Sequence, residues 1–154
     1  MTDEPAKSPK TVKTVLRIGG GERPGYLWNV LVMNVARQEA AAFLGERQYR
    51  RLAAKFRSLA GMEEPSRGGR VDVRPVEDFF EVRDKGGELG RLNVRVFFLV
   101  DKTDRNLVVL SAIHKQNDGA TPMEDKLRVR KRRAGYWKLP ASERSTRDGR
   151  EERS

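Results

Sequence analysis

Apolar residues recur in two rhythms along this chain. From Glu46 to Ala60, Tyr49, Leu52, Ala53, Phe56, Leu59 and Ala60 fall at i, i+3, i+4, i+7, i+10 and i+11, which predicts a helix lying on a core. From Leu92 to Asp101 the period is two. Val94, Val96, Phe98 and Val100 share one face of a strand, and Arg95, Phe97 and Leu99 share the other. Phe79–Asp84 and Asn106–Lys115 read as strands on either side, the second closed into a hairpin by the turn Lys102–Arg105.

The remaining elements follow from the breaks between these runs. Thr14–Ile18 predicts a short strand, cut off by Gly19-Gly20-Gly21 and Pro24-Gly25. Tyr26–Val35 holds Tyr26, Leu27, Trp28, Val30, Leu31, Val32 and Met33 and reads as the first core strand. The alanine-rich Ala36–Leu44 predicts a helix, Gly45 separates it from the next, and Gly61 stops that one. The loop Glu63–Arg70, with Pro65, Gly68 and Gly69, is expected to be mobile. Thr121-Pro122-Met123-Glu124 has the form of a capping box with proline at the first helical position. The last helix then runs from Pro122 to about Trp137, and Pro140 ends it.

The order β, α, α, β, β, β, α predicts an α+β fold, with two N-terminal helices packed on a four-stranded antiparallel sheet and a basic C-terminal helix after it. Helices on one face would leave Phe97 and Leu99, beside Arg95, half covered on the other. Residues 14–139 form the expected single domain. Residues 1–13 are a polar arm with two prolines and 140–154 a charged tail, both expected to be disordered.

Charge changes the picture by where it sits. The net charge is +10 and the pI about 10.3. In Ser142–Ser154 four acids balance four arginines, and the first thirteen residues sum to +1, so +9 belongs to the part expected to fold. Lys126, Arg128, Arg130, Lys131, Arg132 and Arg133 crowd the last helix with no acid between them. Beside an antiparallel sheet, such a helix suits a polyanion, RNA above all.

The absence of cysteine excludes disulfides, thiolate catalysis and thiolate-ligated metals, and a single histidine excludes a histidine-rich metal site. No cofactor is expected. No apolar run reaches the roughly 18 residues of a membrane span, and no secretory-type stretch opens the chain, so a cytoplasmic location is the expectation. Proton transfer without a metal falls to His114, Lys115 and Tyr136, and charge stabilisation to Arg83, Arg95 and Arg133. The plainer readings are a structural histidine, arginines paired with Glu81 and Asp84, a solvated helix face, and Tyr136 with Trp137 as core caps.

Several strings resemble the RelE/ParE/HigB superfamily of bacterial and phage toxins, closest to its HigB-like, phage-derived branch. They are Phe79-Phe80-Glu81-Val82-Arg83, Asn93-Val94-Arg95-Val96-Phe97-Phe98, and Val108-Val109-Leu110-Ser111-Ala112-Ile113-His114-Lys115. A Thr-Pro helix start and a basic helix ending in an aromatic follow them, and the resemblance covers roughly residues 26–137. It implies the toxin half of a type II toxin–antitoxin pair. The activity implied is an endoribonuclease that cuts messenger RNA, usually on the ribosome, through metal-independent attack of the 2′-hydroxyl. A cognate antitoxin would silence it.

On that resemblance, with His114 added on residue type, Arg95, His114, Lys115 and Tyr136 form the expected catalytic set. Arg83, Lys126, Arg128, Arg130, Arg132 and Arg133 contact nucleic acid. The chain departs from the branch at Gln116, where the second lysine of a pair stands, and at Ile113, where an aromatic does. A non-catalytic RNA or ribosome binder is therefore the alternative, and a gyrase-inhibiting toxin a third reading.

Overall fold

In the computed structural model the described residues are 14–20, 24–85, 93–114 and 119–145. Two strands open the fold, β1 (Val15–Gly19) and β2 (Asn29–Met33). Two helices follow, α1 (Asn34–Phe43) and α2 (Glu46–Leu59), then a 3-10 turn at Pro65–Arg67. Strands β3 (Val73–Pro75), β4 (Phe80–Lys85), β5 (Asn93–Asp101) and β6 (Asn106–His114) lead to helices α3 (Met123–Trp137) and α4 (Ala141–Ser145). The expected strand starting at Leu92 and the one ending at Lys115 each lose their terminal residue to the segments outside the described residues. The expected N-terminal arm, and the tail beyond Ser145, lie outside them too.

The sheet corrects the expected architecture. Among the described residues it has six strands, not four, in the order β1-β2-β6-β5-β4-β3, and it is mixed, not antiparallel. β2 runs parallel to β6, with Asn29 opposite Asn106 and Val32 opposite Val109. β1 adds an antiparallel edge to β2, and β3 adds one to β4. The three-residue β3 has no sequence signal of its own, since Val73-Arg74-Pro75 is too short and polar to show a period. The parallel contact is equally hidden, because it joins residues about eighty positions apart whose own patterns do not state a direction.

Cross-strand partners assign the two faces. On one, Phe80, Val82 and Asp84 stand opposite Phe98, Val96 and Val94. Helices α1 and α2 cover this face. Phe56 meets Phe98 edge-on at 5.3 Å, and Lys55 pairs with Asp84 at 3.4 Å. The other face holds Glu81, Arg83, Arg95 and Phe97 and lies under α3. Phe79 packs edge-on against Phe97 at 6.1 Å, the Arg133 guanidinium lies over Phe79, and Val129 and Tyr136 of α3 are fully buried. The fold therefore has three layers, and the face expected to be half covered is roofed by the basic helix. That explains why β5 reads apolar on both sides, with Phe97, Phe98 and Leu99 all buried.

The start of α3 also departs from expectation. The helix begins at Met123 with Pro122 as its cap residue and no side-chain cap. The Thr121 hydroxyl donates instead to the Glu81 carboxylate at 2.9 Å, tying the helix entrance to β4. At the other end, Pro140 starts a further turn, not a tail. Arg144 of α4 pairs with Asp104 at 3.2 Å, so packed structure reaches past residue 139.

Candidate nucleic-acid interface

Register places two of the expected site residues side by side. Arg83 on β4 and Arg95 on β5 are directly opposite, on the face beneath α3. Like charges in that position repel, and the fold offsets this in two ways. The Arg83 guanidinium pairs with Glu81 on its own strand. Arg95 is 1% exposed, and its Nη2 donates to the Gly119 carbonyl at 2.7 Å. Arg95 thus holds the turn that leads into α3. Arg83 keeps a partly exposed side chain at the rim.

His114 ends β6 opposite Val94, at the same end of the sheet. Alternation sends it to the other face, where it stacks on Phe43 of α1 with centroids 5.8 Å apart, and it is exposed. Lys115 lies outside the described residues. Tyr136 is at the far end. Its hydroxyl donates to Asp101 at 2.6 Å and accepts from Asn106 at 2.9 Å, where the β5–β6 hairpin turns. Six residues of strand separate Arg95 from Asp101, about 20 Å. The expected catalytic set is therefore not one constellation. Arg83, Arg95 and His114 share an end of the sheet, and Tyr136 does not join them.

The environment of Tyr136 is that of a structural phenol. Burial, then the hydrogen bond to Asp101, pushes its pKa well above the ordinary value. Asn106 also donates to the Arg144 carbonyl at 2.7 Å and accepts from Asn29 at 3.0 Å. This network ties β2, β5, β6, α3 and α4 together.

The basic cluster of α3 is largely answered by acids from elsewhere. Arg132 donates to both oxygens of Glu39 on α1, at 2.9 and 2.8 Å, and to the Leu110 carbonyl at 2.9 Å. Arg128 pairs with Asp125 and lies 3.7 Å from Glu39. Arg130 forks onto Glu77, and Arg133 reaches Asp78 at 3.4 Å. Hydrogen bonds from Arg130 hold the Glu77 carboxyl below its ordinary range. Lys126 is half-buried and close enough to Glu77 to act on it electrostatically, whereas Lys131 is exposed. The sequence run free of acids is thus neutralised in space by carboxylates up to 93 residues away.

A second basic surface lies outside the expected site residues. The outward stripe of α2 carries Arg47, Arg50 and Arg51, all exposed, with Glu46 as the single acid of the helix. Glu46 pairs with Arg50 at 2.6 Å. The signal was the helical period itself. Once Tyr49, Leu52, Ala53, Phe56 and Leu59 face inward, the arginines between them must face water.

Among the described residues no helix is long and apolar enough to cross a membrane. Compared with known proteins, the chain matches no family model and no curated relative.

Proposed function

We propose that this protein acts on RNA as a toxin of the RelE/ParE/HigB kind, with its working centre at the end of the sheet where β4 ends, β5 begins and β6 ends. The observation that carries the reading is the cross-strand pair Arg83 and Arg95. Three separately weak strings lie on adjacent strands and bring Arg83, Arg95 and His114 to one end of the sheet, the two arginines on one face and His114 at the same end on the other. Arg83 is the member of the pair that stays partly exposed at the rim, where a guanidinium can meet an anionic ligand.

In this reading the roles differ from residue to residue. Arg83, at the rim, meets a phosphate. Arg95 is a positioning residue that fixes the turn at Gly119. His114, exposed, and Lys115 supply the proton steps: one group takes the 2′-hydroxyl proton as the oxygen attacks phosphorus, and one protonates the departing 5′-oxygen. Tyr136 has no chemical role. Messenger RNA is the substrate, the ribosome is the partner on which it is cut, and an antitoxin is the expected silencing partner.

The test is to incubate the purified chain with ribosomes and messenger RNA and map the cut ends. Cleavage that falls at least about a hundredfold in Arg83→Ala and His114→Ala supports the reading. Intact RNA under conditions where the protein binds ribosomes overturns it. One observation favours the non-catalytic alternative, namely that Tyr136 is locked away from the other proton-transfer candidates. That alternative predicts ribosome binding that weakens steeply with salt, and no cut ends.

A further inference from the structure

The outer side of α3 has a feature that the RNA reading does not use. Met123, Leu127 and Trp137 are 58%, 52% and 46% exposed, three of the five exposed large apolar side chains among the described residues. With Arg130 and Ala134 they fall at spacings of four, three, four and three, the seam that a helix presents to a second helix. Val129 and Tyr136 already anchor the opposite side of α3 to the sheet, so this seam takes no part in the protein's own core.

Charge selects the occupant. The positions flanking the seam are Glu124, Lys126, Lys131, Arg133 and Lys138, four of the five cationic. Lys131 and Lys138 are exposed and make no ion pair among the described residues. A second copy of this chain would bring the same lysines face to face. Residues 1–13 and 142–154 do not complement it either. Ser142–Ser154 has no apolar residue and no net charge, and the first thirteen residues carry +1 and two prolines.

We propose that this seam docks an amphipathic helix of a separate protein, with apolar residues at heptad spacing and Asp or Glu beside them. Met123, Leu127 and Trp137 insert between the partner's apolar side chains, and Lys131 and Lys138 select its acids. Arg130, held by Glu77, is the polar member that sets register.

The probe is a synthetic three-heptad peptide with Leu at the seam and Glu at the flanking positions, titrated into the full chain. A control peptide carries Lys at the flanks. Tryptophan emission reports the complex, because Trp28 is buried and Trp137 is exposed. The expected result is a blue shift with the Glu peptide only. Leu127→Glu and, separately, the pair Lys131→Glu and Lys138→Glu should weaken binding at least about tenfold with unchanged far-ultraviolet circular dichroism. Met123→Glu gives the same readout should Leu127→Glu lose its fold. Equal binding of the Lys peptide, no binding of the Glu peptide, or full affinity in Leu127→Glu overturns the proposal. RNA cleavage by Leu127→Glu should match the parent, so failure here and failure of the RNA reading are separate results.

Discussion

Glu39 and Arg132, 93 residues apart in the chain, form a two-point ion pair over the open edge of β6. β2 accompanies β6 only as far as Val109, because the chain turns into α1 at Asn34. A bulge in the β5–β6 ladder follows at Leu110. Beyond it the edge would expose backbone groups to solvent. Glu39 accepts from the Ala112 N–H at 3.1 Å and from the Ser111 hydroxyl at 2.8 Å, and Arg132 donates to the Leu110 carbonyl. The pair therefore takes the place of a missing strand and joins the outer layers around the sheet's edge.

Glu39→Gln or Arg132→Met should each cost about 1–3 kcal/mol in urea denaturation at pH 7, the range for a charged hydrogen-bonding group with several partners. Burial opposes ionisation of Glu39, but the bonds from Arg132, Ala112 and Ser111 outweigh it and hold its pKa below the ordinary 4.5. Its contribution is complete above that value and is lost as pH falls below it. The difference between parent and Glu39→Gln should therefore shrink between about pH 5 and pH 3. A constant difference across that range would show that the carboxylate's charge is not what matters.

Tyr136→Phe keeps the ring and removes the hydroxyl between two fully buried groups, Asp101 and Asn106. The expected cost is about 1–3 kcal/mol by chemical denaturation. RNA cleavage, normalised to folded protein, should be unchanged. A large loss of cleavage in a fully folded variant would return Tyr136 to the chemistry. Because the folded phenol titrates above its usual 10.0, the hydroxyl's contribution should persist to pH 10 and fade only above it.

Gly135 lies inside α3, and a methyl group built there meets nothing within 4 Å. Gly135→Ala should stabilise the protein by about 0.5–1 kcal/mol through the unfolded chain's lost freedom. Thermal denaturation checks this, and an unchanged or lowered midpoint contradicts it.

The two basic helices should behave differently toward RNA. Replacing the exposed Arg47 by Gln should lower the slope of log K against log salt by about 1, with little change in stability. Replacing Arg128 and Arg132 should chiefly destabilise the fold, since both already serve carboxylates. Equal slopes for the parent and the α2 variant would remove α2 from the RNA contact.

Local spacing revealed the helices and the central strands. α2 begins at Glu46 as its stripe predicts, and β5 and β6 match the alternation and hairpin turn within the described residues. β3 and the parallel contact between β2 and β6 were not legible, because neither depends on a local period. The kinds of side chain were legible in the sequence and their placement was not. Arg83 and Arg95 do meet, but a position on a strand does not say which end or face it shares with a helix 40 residues later.

This chain's own order of residues determined which segments bury one side, because periods of 3.6 and 2 are properties of neighbours along the backbone. It also determined the excess of positive charge. Tertiary structure decided what those charges do. Glu39, Glu77 and Asp78 reach the last helix only because a parallel strand pairing and a third layer carry them there. A guanidinium beside a carboxylate is largely engaged and one beside water is available, and only folding says which of the two each arginine becomes.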